Sequence, residues 1–196
     1  MLRIAKSLLQ VISYFTQSKT RIIRRIITMS NWKTITPEEL QKNPFTLIGK
    51  DWGLVTAGTK EKVNTMTVSW GGVGIMWGKP VAFVFIRPQR YTKTFVDNNE
   101  TFSLSFYDES MRSTLSYMGS HSGKDVDKIK EMELTTVFEE NTPYFEEANI
   151  VLCLKKLYKQ EMQEANFIDK NCVEKWYPDS DYHHMYVCEI QKVLMK

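Results

Sequence analysis

The chain has 196 residues, with 26 Lys and Arg against 23 Asp and Glu, a net charge of +3. That length suits one domain, and hydrophobic and charged fractions of 42% and 25% exclude an acidic disordered chain. No run approaches the ~18 apolar residues that a membrane-spanning helix needs.

The charge is unevenly placed. Residues 1–28 carry Arg3, Lys6, Lys19, Arg21, Arg24 and Arg25 and no acid, which leaves twenty bases against 23 acids beyond them. The body from residue 29 onward is therefore net −3, too acidic for a general nucleic-acid binder, where clustered Lys and Arg are expected. The leader has three readings: an acid-free transit-type presequence, an amphipathic surface helix against anionic lipid, or an upstream extension with Met29 as the start. The third is preferred, because Met29-Ser30-Asn31-Trp32 runs directly into a well-formed domain start. A secretory signal does not fit: Gln10 and Ser13 break the apolar stretch 8–15, and no small-residue cleavage pattern follows. Residues 1–28 are accordingly set outside the fold, and residues 29–196 form one domain. Three scattered cysteines, Cys153, Cys172 and Cys188, do not make a disulfide scaffold and point to a reducing compartment, the cytoplasm.

In chain order, Thr36-Pro37-Glu38-Glu39 predicts a short helix with a capping box, ended by Asn43-Pro44. Strands are predicted at 53–58, at 63–70 by alternation, at 81–86 as a buried apolar run, and at 101–107. Helices are predicted at 92–99, at 109–118 with Gly119 as the C-terminal glycine, and at 125–131. Strands at 134–138 and 149–159, a helix at 169–176 and a last strand at 184–194 complete the pattern. Strands dominate without βαβ alternation, which argues for an antiparallel barrel or sandwich carrying helices.

Four segments have the composition to do chemistry. Residues 64–72 read Asn-Thr-Met-Thr-Val-Ser-Trp-Gly-Gly, with Thr65, Thr67 and Ser69 on one strand face before a run of glycines. Hydroxyls beside accessible amides suit a phosphate or a polyol, and equally an ordinary solvated strand face. Residues 87–92 read Arg-Pro-Gln-Arg-Tyr-Thr between a buried strand and a helix, where guanidinium, hydroxyl and helix-end amides converge as an anion site. Residues 119–128 carry Gly, Ser and Lys without the spacing of a Walker loop. Residues 182–186 hold the adjacent His183 and His184, which face opposite sides of a strand and lack metal-ligand spacing. A Gly-x-Ser-x-Gly nucleophile elbow is missing, and Cys153 lies in an apolar strand as a core residue.

Taken in order, these segments, with Trp77-Gly78-Lys79-Pro80-Val81, give the chain a pattern that resembles the flavin reductase-like, FMN-binding split-barrel family, in its flavoredoxin-like branch. The resemblance covers roughly residues 36–194. It implies a mainly β fold, an antiparallel Greek-key split barrel with several short peripheral helices, forming a homodimer with FMN near the subunit interface. By position, Asn64, Thr65, Met66, Thr67, Ser69, Trp70 and Gly71 line the flavin. Arg90, Tyr91 and Thr92 hold its phosphate and ribityl chain, Ser122, Gly123, Lys124 and Lys128 close over it, and His183 lies near the pocket. The implied activity is hydride transfer from NADH or NADPH to flavin. The alternatives are a flavoredoxin-like carrier that passes electrons to a protein partner, and a non-catalytic flavin-binding barrel. Cys188 stands where the branch often has glycine, and Met118 where it often has cysteine, which argues against a thiol redox role.

Overall fold

The computed structural model describes residues 32–196. The readings made for residues 1–28 lie outside the described residues. A compact unit runs from Thr34 to Met195.

Among the described residues ten strands form in chain order: β1 (Lys33–Ile35), β2 (Gly53–Gly58), β3 (Val63–Val68), β4 (Gly71–Met76), β5 (Lys79–Ile86), β6 (Thr101–Phe106), β7 (Thr136–Glu139), β8 (Thr142–Phe145), β9 (Ile150–Glu161) and β10 (His184–Met195). Seven of them make one sheet path, β3-β2-β6-β9-β10-β5-β4, with β1 added beside β10. The ladders that define this path are antiparallel. The two end strands of the path, β3 and β4, are joined by only Ser69 and Trp70. So short a link spans at most ~10 Å at 3.3–3.6 Å per residue. The sheet therefore curls until its ends meet without pairing, and this makes the expected antiparallel barrel a split one. Register shifts between β9 and β10 at Val187/Cys188 and Ile190/Lys192 help the longest strands bend. The small hairpin β7-β8 stands apart as a second sheet.

The barrel interior is filled by Val55, Met66, Val84, Phe102, Leu104, Leu152, Leu154, Tyr186 and Val193. Alternation along β3 sends Met66 and Val68 inward, as the period of two predicts. Tyr186 is fully buried, and its hydroxyl donates to Asp97 at 2.8 Å.

The helices are α1 (Pro44–Thr46), α2 (Tyr91–Asn98), α3 (Arg112–Ser120), α4 (Lys128–Glu131) and α5 (Asn171–Trp176). Several departures from the sequence expectation have local causes. Residues 36–39 make only a 3₁₀ turn, although Glu39 accepts from the Thr36 amide at 2.7 Å as its capping box requires. Asn43-Pro44 does not simply stop a helix. Asn43 caps α1 by accepting from the Phe45 amide at 2.9 Å, and Pro44 takes the first position. Gly119 lies inside α3, not beyond it, because the helix closes at His121 with its amide on the Tyr117 carbonyl. The glycine-rich stretch 71–76 is a strand, β4, and its hairpin to β5 turns on Trp77 and Gly78, both at positive φ (53° and 69°). A two-residue turn of this type requires positive φ at both central positions.

Candidate functional site

Arg90, at the start of α2, and Lys128, at the start of α4, come together although 38 positions separate them. The loop after α3 brings them there. Lys128 is only 2% exposed, and its ammonium donates to the carbonyls of Met118 (2.8 Å) and His121 (2.9 Å). Arg90 Nη1 donates to the Gly119 carbonyl at 2.9 Å. Neither cation forms an ion pair among the described residues. Burial, with the Arg90 charge second, pushes the Lys128 pKa down to about 8. Burial also lowers that of Arg90, whose guanidinium still remains charged. An isolated buried charge is costly, and buried Lys128 beside half-buried Arg90, with carbonyl partners alone, leaves positive charge that an anion would balance.

The cavity that they flank measures about 110 Å³ and is completed by Asn64, Gln89, Tyr91, Thr92, Ser122 and Gly123. Asn64 Nδ2 donates to Thr92 Oγ1 at 3.0 Å, and both residues are buried. Gly123 lies so close to this pair that a Cβ built on it would sit 2.2 Å from Asn64 Oδ1. Only glycine lets the backbone approach here. Lys124 stands at the rim with its ammonium 5.5 Å from the Tyr91 ring centre, and Lys62 donates to the Tyr91 hydroxyl at 3.2 Å. Thus Asn64, Arg90, Tyr91, Thr92, Ser122, Gly123, Lys124 and Lys128 gather in one place. The sequence did not single out Gln89, Lys62 or the Gly119 and His121 carbonyls. Main-chain acceptors leave no residue-type signal, and Lys62 is legible only once β3 is known to start beside it.

The rest of β3 has other partners. Thr65 is fully buried and bonds Thr56 Oγ1 at 2.9 Å and the Val55 carbonyl at 3.0 Å. The Thr67 hydroxyl donates to the Leu115 carbonyl of α3. Both hydroxyls are thus engaged within the protein, and Met66 is in the core. It is Asn64, on the face that Met66 shares and opposite Thr65 and Thr67, that reaches the cavity.

At the far end of β3, Ser69, Trp70 and Gly71 lead into β4. Trp70 packs on His183, ring centres 5.1 Å apart, and edge-on to Trp176 at 5.0 Å. His183 is buried, and its Nδ1 pairs with the Tyr177 hydroxyl at 2.9 Å. Burial, then the Arg87 charge, pushes its pKa down to about 4, so the ring is neutral near pH 7. Arg87 ion-pairs with Asp181 and donates to the Trp176 carbonyl at 2.7 Å, which ties this segment to the end of β5. At ~3.3 Å per residue, the strand separates the two clusters by ~20 Å.

Against known proteins, a family model described as the flavin reductase like domain matches residues 48–194. The chain belongs to this family. Similar solved structures include flavoredoxin from Methanosarcina acetivorans, with 21% identity, coverage of 74% of this chain and 68% of that one, and a TM-score of 0.59. An FMN-binding protein from Thermus thermophilus with bound 1-cyclohex-2-enone gives 22% identity, 82% and 76% coverage and a TM-score of 0.57. The flavin reductase of styrene monooxygenase from Pseudomonas putida S12 gives 14%, 73% and 77%, and 0.53. At these identities the likeness is one of fold, that of a flavin reductase-like split barrel. No curated protein matches the chain.

Proposed function

We propose that this flavin reductase-like chain binds FMN and accepts hydride on it from NADH or NADPH. The observation that carries the reading is the pair of cations, buried Lys128 and half-buried Arg90, facing one small cavity without a carboxylate. A phosphate dianion matches two cations in charge and takes charge-assisted hydrogen bonds from both. A cavity of about 110 Å³ is small beside the ~300–1,000 Å³ of a whole ligand site. It suits the phosphate end alone, with the remainder of the flavin lying along β3 toward Trp70.

The protein's own part is then binding and orientation. Arg90, Lys128, Thr92 and Ser122 hold the phosphate, Lys124 covers it, and Gly123 lets the loop close over Asn64. The free backbone edge of β3, continued by Ser69 and Gly71, forms the wall, Trp70 gives the ring a flat apolar neighbour, and neutral His183 offers a hydrogen-bonding edge beside it. FMN supplies the hydride-accepting chemistry when bound.

A second reading has its own observation. Trp70 and Trp176 are 39% and 43% exposed at the proposed ring end, a surface through which a bound flavin would pass electrons to a protein partner. Edge strand β4 also exposes Val73 and Ile75, the latter at 71%, beside an apolar groove of about 200 Å³ that includes Pro37, Leu40 and Ile190. An unpaired apolar edge favours pairing with a second copy, hence a homodimer. No helix among the described residues is long and apolar enough to cross a membrane. Cys153, Cys172 and Cys188 are free thiols, which suits the reducing cytoplasm.

The test is an absorbance spectrum of protein incubated with FMN, followed by anaerobic NADH and NADPH titration. The reductase reading expects flavin absorbance that bleaches with nicotinamide and rapid turnover with free FMN as acceptor. Bound flavin that bleaches slowly and turns over only with a protein acceptor favours the carrier. Bound flavin that never bleaches leaves a binding barrel.

A further inference from the structure

The ring of His183 has two nitrogens, and one of them is held by the protein. Nδ1 lies 2.9 Å from the Tyr177 hydroxyl. Nε2 is left without a hydrogen-bond partner among the described residues, and the residue keeps 8% of its surface exposed. In a neutral imidazole one nitrogen donates and the other accepts, and the bond made by one sets the role of the other. The partner of Nδ1 therefore decides whether the ring presents a donor or an acceptor beside Trp70.

The Tyr177 phenol has one proton and two acceptors in reach, His183 Nδ1 at 2.9 Å and Met162 Sδ at 3.8 Å. A thioether sulfur is a weak acceptor, so the proton goes to Nδ1, and the ring's own proton is left on Nε2. The Arg87 guanidinium lies 5.2 Å from the centre of the Tyr177 ring. A cation there draws charge from the ring and makes its hydroxyl a better donor.

The pair is also rigidly framed. Tyr177 is 5% exposed and packs against Phe167 and Tyr182, ring centres 5.6 and 5.1 Å away. Its amide closes α5 on the Val173 carbonyl at 2.9 Å, and the His183 carbonyl accepts from the Met162 amide at 2.9 Å. Trp70 covers the imidazole from the β3 side.

We propose that Tyr177 is a positioning residue. By donating to Nδ1 it fixes the His183 proton on Nε2, so that the imidazole offers an N–H donor to a carbonyl or ring nitrogen of the flavin. The inference rests on the flavin reading above and names the residue that sets what this end of the site presents. Reduction adds electron density to those flavin acceptors, so a donor fixed beforehand favours the reduced ring over the oxidised one.

Nitrogen-15 NMR of the flavin-free full chain reads the tautomer directly, with His183→Asn to assign the signals. The proton is expected on Nε2, with Nδ1 unprotonated and hydrogen-bonded. Tyr177→Phe keeps the ring under Arg87, and a thermal melt confirms its folding. In this variant the Nδ1-protonated form should appear. A wild-type proton on Nδ1, or an unchanged tautomer in Tyr177→Phe, overturns the inference.

The midpoint potential of bound FMN tests the consequence. Tyr177→Phe is expected to cut the preference for reduced over oxidised flavin by about tenfold, about 30 mV for a two-electron couple. The same change should have no further effect in a His183→Asn background, because Tyr177 acts through that ring. An equal shift in both backgrounds, or no shift in the single variant, overturns the inference and leaves the flavin reading standing. Failure of FMN to bind overturns both, whatever the tautomer.

Discussion

Arg87 and Arg90 lie three positions apart in one turn and have opposite fates. Arg87 is neutralised by Asp181, bonds the Trp176 carbonyl and packs over the Tyr177 ring at 5.2 Å. Arg90 meets carbonyl oxygen and a second cation, Lys128. The first arginine is a fastener for the aromatic end of β3, complete within the protein. The second belongs to a region whose charge balance closes only with an external anion. An arginine-rich motif therefore says little until the location of its carboxylates is known. Charge satisfied internally marks architecture, and buried charge left with neutral acceptors marks a binding site.

This contrast is broken most directly at the cation pair. Lys128→Met should weaken FMN by about 1.5–3 kcal/mol, roughly tenfold to a hundredfold, the worth of a charge-assisted phosphate contact. Riboflavin, which lacks the phosphate, should bind about as before. The same substitution should raise the melting temperature of the flavin-free protein, because it removes a buried cation that has no counter-charge. Titration with both flavins and a melt of each protein check this.

Gly123→Ala is the next largest effect. The new Cβ would drive Asn64 off its bond to Thr92. A loss of about 1–3 kcal/mol in FMN affinity is expected from the broken bond and displaced loop, together with a lower melting temperature, since Asn64 and Thr92 are both buried. Unchanged affinity would show that the close approach is incidental.

The pH response separates ligand binding from stability by sign. Lys128 has a folded pKa lowered to about 8 from the usual 10.5. Between those values the unfolded chain holds more protons than the folded one, so the flavin-free protein gains stability as pH rises through this window. Phosphate needs the charged form, so FMN affinity should fall across the same window. Both responses should disappear in Lys128→Met, as melts and titrations from pH 7 to 10 will show.

At the other end of β3, Arg87→Met should lower stability by about 1–3 kcal/mol, since Asp181 is left without its guanidinium partner. The preference for FMN over riboflavin should not move. A lost preference would mean that the two arginines are not divided in the way described.

The barrel was legible where periodicity was clean. β3, β5, β6 and the long strands β9 and β10 fall within a few residues of their predicted bounds, because alternation or continuous apolar runs fix them. β4 was hidden: glycine gives no side-chain pattern, and an edge strand needs no buried face. Of the site, the residue types of Arg90, Thr92, Gly123 and Lys128 were readable as anion chemistry. That Thr65 and Thr67 spend their hydroxyls on Thr56, Val55 and Leu115 was not, because those partners come from β2 and α3, distant in sequence. Lys128 was expected in the helix 125–131 and, by resemblance, closing over the cofactor. That its ammonium is buried against the Met118 and His121 carbonyls depends on main-chain partners seven to ten residues away, which no local pattern records.

The most direct measurement of the central claim is a titration of flavin-free protein with FMN, followed by quenching of flavin fluorescence, beside the same titration with riboflavin. The account predicts saturable binding of one FMN per chain, tighter than riboflavin by about tenfold or more, the phosphate contributing through Arg90 and Lys128. Equal affinity for the two flavins, or no quenching by FMN, would contradict it.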